Sequence, residues 1–205
     1  MRVSIADYGI GNVQSVVNAC DRAGAETLVA RDGKELLAQQ PGRIILPGVG
    51  AIGAALKNLR DRDFETALQR LVIEQGVAFL GICVGMQMLG EVCEEFGEHR
   101  GLGWLPGRVH RLETENSKLP LPHVGWNTLD IQCPDDPVIG PLDGNDVYFV
   151  HSYALDCPKE FVLATTDYGG HFVSAVRHGH ILGVQFHPEK SSALGGALLD
   201  AFITN

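Results

Sequence analysis

The sequence predicts an α/β fold with a mixed, mainly parallel central sheet and a strand-rich antiparallel second half. Three observations carry this. Residues 3 to about 105 alternate short apolar runs with segments of helical period. No hairpin turn joins those runs, so successive strands need right-handed crossovers and run parallel. From residue 108 onward, extended runs follow one another closely.

Val3, Ser4, Ile5 and Ala6 form the first strand. The helix after it carries Val13, Val16, Val17, Cys20 and Ala23 at helical spacing and stops at Gly24. Strands are expected at 27–29 and 43–46 with a helix at 35–39 between them, then one or two helices over 54–71. Val77, Ala78, Phe79 and Leu80 read as a buried strand feeding a helix through 86–89. In the second half, 108–112, 124–131, 147–153, 162–166 and 174–177 are extended. Arg177-His178-Gly179-His180-Ile181 reads as a hairpin turn, because glycine supplies the positive φ such turns need. A strand at 181–187 and a closing helix at 193–202, with Leu194, Leu198, Leu199 and Phe202, complete the chain. No low-complexity linker or internal repeat interrupts it, so one domain over 1–205 is expected.

Of the 205 residues, 45% are apolar and 20% charged, an ordinary globular balance with enough apolar side chains for a sizeable core. The net charge is −9 and no basic cluster occurs, which argues against phosphate backbones and anionic membrane surfaces as partners. Asp7, Gly9 and Gly11 stand where a secretory leader would be apolar. The longest uncharged stretch, 75–90, is broken by four glycines and two glutamines and is too short to span a bilayer. Five cysteines, at 20, 83, 93, 133 and 157, have neither metal-knuckle spacing nor the pattern of a disulfide framework. The expected compartment is the cytoplasm, with no metal and no cofactor.

The segment richest in chemistry is Phe79-Leu80-Gly81-Ile82-Cys83-Val84-Gly85-Met86-Gln87. A buried strand enters a Gly-X-Cys-X-Gly turn that opens a helix, the layout of a nucleophile elbow. Free N–H groups at the helix start favour a thiolate and an oxyanion. The competing reading is a small buried hydrophobe, the usual fate of a free cysteine. Gln185-Phe186-His187-Pro188-Glu189 ends a late strand. Residues i and i+2 of an extended chain share a face, so His187 and Glu189 project together as a base and its orienting carboxylate. Pro188 keeps His187 out of the helical region. A solvated turn without a role is the alternative. Leu46-Pro47-Gly48-Val49-Gly50, also just past a strand, is a candidate oxyanion donor or an ordinary strand-to-helix turn. Asp7-Tyr8-Gly9-Ile10-Gly11-Asn12 lacks the third glycine of a dinucleotide fingerprint, and no phosphate loop or His-Glu-x-x-His metal helix occurs. His151 ends a strand and is a candidate pocket residue. Pro122-His123-Val124-Gly125-Trp126-Asn127 is a packing or interface feature.

Together the elbow, the His187-Pro188-Glu189 segment and the Pro47-Gly48-Val49-Gly50 loop resemble the class I (triad) glutamine amidotransferases. Asp7-Tyr8-Gly9, Asn12, Glu94-Glu95, segment 122–127, Tyr148 through Tyr153, and Phe186 through Ser191 are similar to the branch of glutaminase subunits that serves imidazole glycerol phosphate synthase. Val84 and Gly90 depart from the usual pattern without touching the triad. The resemblance implies a flavodoxin-like three-layer fold and a triad of Cys83, His187 and Glu189. It also implies oxyanion donors at Val84 and in the Val49–Gly50 peptide, and glutamine contacts from Gln87, Glu95, Gly50, Ser152 and Tyr153. The implied partner is a (β/α)₈-barrel cyclase subunit in a heterodimer. That subunit takes up the ammonia and faces Asn12, Pro122, His123, Trp126, Asn127 and Lys190. The products would be imidazole glycerol phosphate and aminoimidazole carboxamide ribonucleotide. By the same analogy, a peptide flip at 47–50 completes the oxyanion hole only when the partner's ligand is bound. A sister glutaminase feeding a different synthase, such as one that aminates a surface sugar, shares the triad and is the alternative. A non-catalytic binding subunit would need a broken triad.

Overall fold

Each apolar run of the first half becomes a strand in the computed structural model, which describes residues 1–114 and 118–205. β1 (Arg2–Ala6) leads through α1 (Val13–Arg22) to β2 (Glu26–Ala30), and α2 (Gly33–Gln39) leads to β3 (Arg43–Gly48). Then α3 (Ile52–Asp61), α4 (Phe64–Leu68) and a wider helical turn at Gln69–Glu74 lead to β4 (Ala78–Cys83) and α5 (Val84–Gln87). The second half runs β5 (Val92–Cys93), β6 (His99–Arg100), β7 (Arg108–Arg111), β8 (His123–Thr128), β9 (Asp130–Ile131) and β10 (Asp146–His151). It closes with β11 (Tyr153–Asp156), β12 (Val162–Asp167), β13 (His171–His178), β14 (Ile181–Val184) and α6 (Ser192–Thr204).

The main sheet has the order β2-β1-β3-β4-β14-β13-β12-β9. Its first five strands are parallel and the last three antiparallel. The parallel part follows the flavodoxin-like order, with β14 in fifth place. α1 lies with α6, and α2 with α4, so helices flank the sheet. Ile5, Ile44, Ile45, Phe79 and Leu80 are fully buried along its middle. A four-stranded sheet, β11-β7-β5-β6, and the antiparallel pair β8-β10 complete the second half.

Local chemistry explains the element ends. Gly24 stops the first helix region with φ +78°, and Gly179, at φ +58°, turns β13 into β14. Asp32 caps α2 by accepting from the Glu35 N–H at 2.7 Å, while Glu35 accepts from the Arg31 N–H at 2.8 Å.

The strand expected at 124–131 breaks at Leu129, whose N–H and C=O bond to the Asn145 and Gly144 backbone. That expected at 147–153 breaks at Ser152, because β10 pairs with β8 whereas β11 pairs with β7. The strand expected to reach 187 stops at Val184, since the His187 N–H turns to the Tyr148 carbonyl. Among the described residues no helix is long and apolar enough to cross a membrane.

Candidate active site

Cys83 is the last residue of β4 and sits at φ 54°, ψ −108°. A non-glycine residue there carries strain of about 1–3 kcal/mol, which the surroundings must hold in place. They do so through missing side chains. A Cβ on Gly81 would lie 2.6 Å from the Gly85 carbonyl oxygen, and one on Gly85 would lie 1.9 Å from the Leu46 carbonyl oxygen. At the end of β3, a Cβ on Gly48 would lie 2.5 Å from the Tyr8 hydroxyl and 2.9 Å from Cβ of Val84. The ends of β3 and β4 therefore interlock and hold the Cys83 turn. Behind it, α5 is a single turn of four residues rather than a helix through 89. It is too short for a macrodipole, so the anion-binding capacity behind Cys83 rests on the unclaimed N–H groups of that first turn.

β14 lies beside β4 with Leu182 opposite Leu80 and Val184 opposite Ile82. This register carries the residues after β14 alongside Cys83, although about a hundred residues separate them in the chain. His187 is extended, at φ −103° and ψ 97°, and the chain then enters a 3₁₀ turn at Pro188–Lys190. His187 and Glu189 thus meet through a turn, not along one strand face. Nδ1 of His187 is 2.8 Å from Oε1 of Glu189, and both side chains are buried. Three contacts pin the turn. Ser191 Oγ donates to the His187 carbonyl at 2.7 Å and accepts from the Tyr148 N–H at 3.0 Å. A Cβ on Gly195 of α6 would lie 1.9 Å from the Pro188 carbonyl oxygen, so α6 closes over the turn only because that residue is glycine.

With Nδ1 committed to Glu189, Nε2 of His187 is buried without a hydrogen-bond partner, as is Oε2 of Glu189. Burial alone would lower the proton affinity of His187. The nearby Cys83 sulfur and the Glu189 carboxylate outweigh it and lift the pKa from 6.5 to about 9. His187 is then poised to hold a proton taken from Cys83. Burial keeps the other enclosed thiols protonated, with Cys20 and Cys93 pushed up to about 12 and Cys157 to about 11.

The remaining expected residues divide. In the 47–50 loop, Gly50 is exposed at φ +79° and Val49 is half-buried, while Val84 is buried next to Cys83. Oε2 of Glu95 accepts from the Ile52 N–H at 2.6 Å, which ties it to the start of α3. The Gln87 side chain is buried, and its amide nitrogen donates to the Tyr153 carbonyl at 2.8 Å and to Oε1 of Gln185 at 3.0 Å. Only its oxygen remains for a ligand. The Ser152 carbonyl accepts from the Leu112 N–H, and the Tyr153 carbonyl from Gln87 and His151.

Segment 122–127 does not present one uniform face. Strand alternation turns Val124 and Trp126 outward, 55% and 51% exposed, and buries His123 at 2%. His123 instead stacks on Tyr168 at 3.9 Å and meets His151, Nδ1 to Nε2, at 3.1 Å. Asn127 is half-buried and donates to the Asp167 carbonyl at 2.8 Å. Asn12, Pro122 and Lys190 are exposed, with the Lys190 ammonium 5.7 Å from the Tyr148 ring centroid.

Two residues near the site escaped the sequence reading. Tyr8 is fully buried, donates to the Pro47 carbonyl at 2.8 Å, and so fixes the peptide that begins the glycine loop. Gln185 has its side-chain nitrogen 3.6 Å from the Cys83 sulfur. Its place two residues before His187 was the available signal. Among the described residues no group of three His, Cys, Asp or Glu side chains stands close enough to hold a metal.

The profile of the family described as glutamine amidotransferase class-I matches residues 4–204. The chain is 41% identical to the imidazole glycerol phosphate synthase subunit HisH of Zymomonas mobilis subsp. mobilis, over 98% of this chain and 94% of that one. It is 43% identical to the same subunit of Aquifex aeolicus, over 98% and 96%. Among solved structures, a glutamine amidotransferase superposes with a TM-score of 0.74 at 23% identity, covering 98% of this chain and 96% of that one. PurLQS from Thermotoga maritima superposes with a TM-score of 0.73 at 17% identity, covering 98% and 97%. These two likenesses concern the fold.

Proposed function

The chain belongs to the class-I glutamine amidotransferase family, among the glutaminase subunits of imidazole glycerol phosphate synthase, and from that premise we propose how its site works. Its activity is that of a glutaminase in histidine biosynthesis, acting with a partner synthase subunit. One observation carries the mechanism: a strained cysteine at the end of β4 faces a buried His187–Glu189 pair delivered by the adjacent strand.

The Cys83 sulfur gives its proton to Nε2 of His187 and attacks the side-chain carbonyl carbon of glutamine. Negative charge moves to the carbonyl oxygen, where the Val84 N–H and an N–H of the Val49–Gly50 peptide receive it. His187 returns the proton to the amide nitrogen, the C–N bond breaks and ammonia leaves a glutamyl thioester. Water then attacks with His187 as base, glutamate departs, and the sulfur regains its proton. The free Oε1 of Gln87, together with Glu95, Gly50 and the backbone around Ser152 and Tyr153, holds the amino-acid end of the substrate.

The exposed Val124 and Trp126, with Pro122, Asn12 and Lys190, form the face for the partner, which we take to be a (β/α)₈-barrel cyclase in a heterodimer. Ammonia passes across this face without entering solvent, and the cyclase makes imidazole glycerol phosphate and aminoimidazole carboxamide ribonucleotide. The complex works in the cytoplasm without a cofactor on this subunit. In the assembled complex, a diazo-ketone analogue of glutamine should alkylate Cys83 and abolish glutamate release. Labelling elsewhere, or full activity of Cys83→Ser, would overturn the assignment.

A further inference from the structure

We propose that Gln185 is a further catalytic residue, whose side-chain N–H holds the Cys83 sulfur in its anionic form, and that Gln87 and the Tyr153 carbonyl fix which end of the Gln185 amide faces that sulfur. The inference rests on Cys83 being the nucleophile. Gln185 is fully buried, and its Nε2 lies 3.6 Å from Sγ of Cys83. An amide has a donor end and an acceptor end, and the acceptor end would repel a thiolate. Which end faces the sulfur therefore decides what Gln185 does.

The surrounding hydrogen bonds decide it. The Tyr153 carbonyl can only accept, so the end of Gln87 that meets it at 2.8 Å is the NH₂. The same NH₂ lies 3.0 Å from the Gln185 amide, so the Gln185 end turned toward Gln87 is the oxygen. Its NH₂ is left to point at Cys83. The Tyr153 carbonyl is itself held by Nδ1 of His151, which donates at 2.9 Å. Nε2 of His151 then accepts from Nδ1 of His123 at 3.1 Å, and Nε2 of His123 faces the Asn127 amide at 3.3 Å. Burial keeps both histidines neutral, which this single direction of donors requires. The backbone of Gln185 is anchored by its N–H on the Ser174 carbonyl at 2.9 Å.

The sulfur thus has neighbours of two kinds. The Val150 carbonyl, at 3.9 Å, accepts the S–H whenever the sulfur carries its proton. When the S–H bond breaks and the proton passes to Nε2 of His187, the sulfur charge lies between an imidazolium and the Gln185 N–H. The same N–H receives that charge again when water has attacked the thioester and the C–S bond breaks.

The test is the pH dependence of iodoacetamide alkylation at Cys83, read on its peptide by mass spectrometry in the assembled complex. Gln185→Leu should move the midpoint of the profile upward by about one pH unit, which is about a tenfold slower reaction below the midpoint. Gln185→Glu, equal in shape but with a negative oxygen beside the sulfur, should move it further. Gln87→Leu frees the Gln185 amide to rotate and should give a smaller upward shift. A Gln185→Leu profile that superposes on the wild type overturns the proposal, as does a Glu variant that shifts no more than the Leu variant. If the Leu variant does not fold, the Glu variant and Gln87→Leu decide, and wild-type profiles in both overturn it. Full glutaminase activity in Cys83→Ser would instead remove the reading on which the proposal rests.

Discussion

Glu189 fixes the imidazole of His187 from two residues away: at 2.8 Å it holds a proton on Nδ1, and Nε2 has no other hydrogen-bond partner. Glu189→Gln keeps the shape, but its amide can turn an N–H toward Nδ1 and select the wrong tautomer. The expected loss in glutamine turnover is on the order of 10²- to 10⁴-fold, with little change in KM, by analogy with other triads. A turnover within about threefold of wild type would show that the carboxylate does not set the tautomer. At this scale much of the site was legible. Cys83, His187 and Glu189 stood out because each sits in a short segment whose neighbours, two glycines or a proline, have local conformational consequences. The orientation of the Gln185 amide was not legible. It follows from the Tyr153 carbonyl, which reaches Gln87 through tertiary packing and leaves no mark in spacing.

At the scale of elements, the interlock of β3 and β4 makes a sharp prediction. Gly85→Ala places a methyl carbon 1.9 Å from the Leu46 carbonyl oxygen, a backbone atom of β3 that cannot swing aside as a side chain could. The expected cost is about 3 kcal/mol or more, read as a lower denaturant midpoint, together with loss of Cys83 alkylation by the glutamine analogue. Gly50→Ala has open space around it and strains only the backbone, so its effect on stability should be smaller.

The regular elements were readable because a strand such as Ala78–Cys83 or a helix such as Val13–Arg22 repeats its apolar signal over several residues. The two-residue strands Val92–Cys93 and His99–Arg100 are too short to carry a period. The breaks at Leu129 and Ser152 depend on which sheet each half joins. The 122–127 segment shows how a correct region can hide two faces, since period-two alternation sends Trp126 out and His123 in.

For the molecule as a whole, three buried histidines bend the stability curve in opposite directions. The folded pKa of His187, about 9, stands above its ordinary 6.5. Its contribution is therefore complete below pH 6.5 and is lost as the pH rises through 9. His123 and His151 are moved the other way by burial, to about 4 and about 3. Their contribution is complete above 6.5 and is lost as the pH falls through those values. Stability measured by denaturant titration should peak near pH 6.5 and fall on both sides. Cys83→Ala, which removes a cause of the His187 shift, should flatten the alkaline limb and leave the acid limb in place. An alkaline limb unchanged in that variant would mean that the sulfur does not raise His187.

The place of β14 between β4 and β13 also governs how this subunit comes into being on the ribosome. Cys83 is translated well before His187, and β14, the strand that leads into His187, is a central one. Until residues 181–205 emerge, β4 lacks one neighbour and presents an open, apolar edge. A chain that ends before β14 leaves that edge uncovered and lacks His187 and Glu189, so it is expected to be inactive toward glutamine and prone to stick to other chains. A fragment ending at residue 178 should be inactive and insoluble, and supplying residues 181–205 as a separate peptide should restore solubility before it restores turnover.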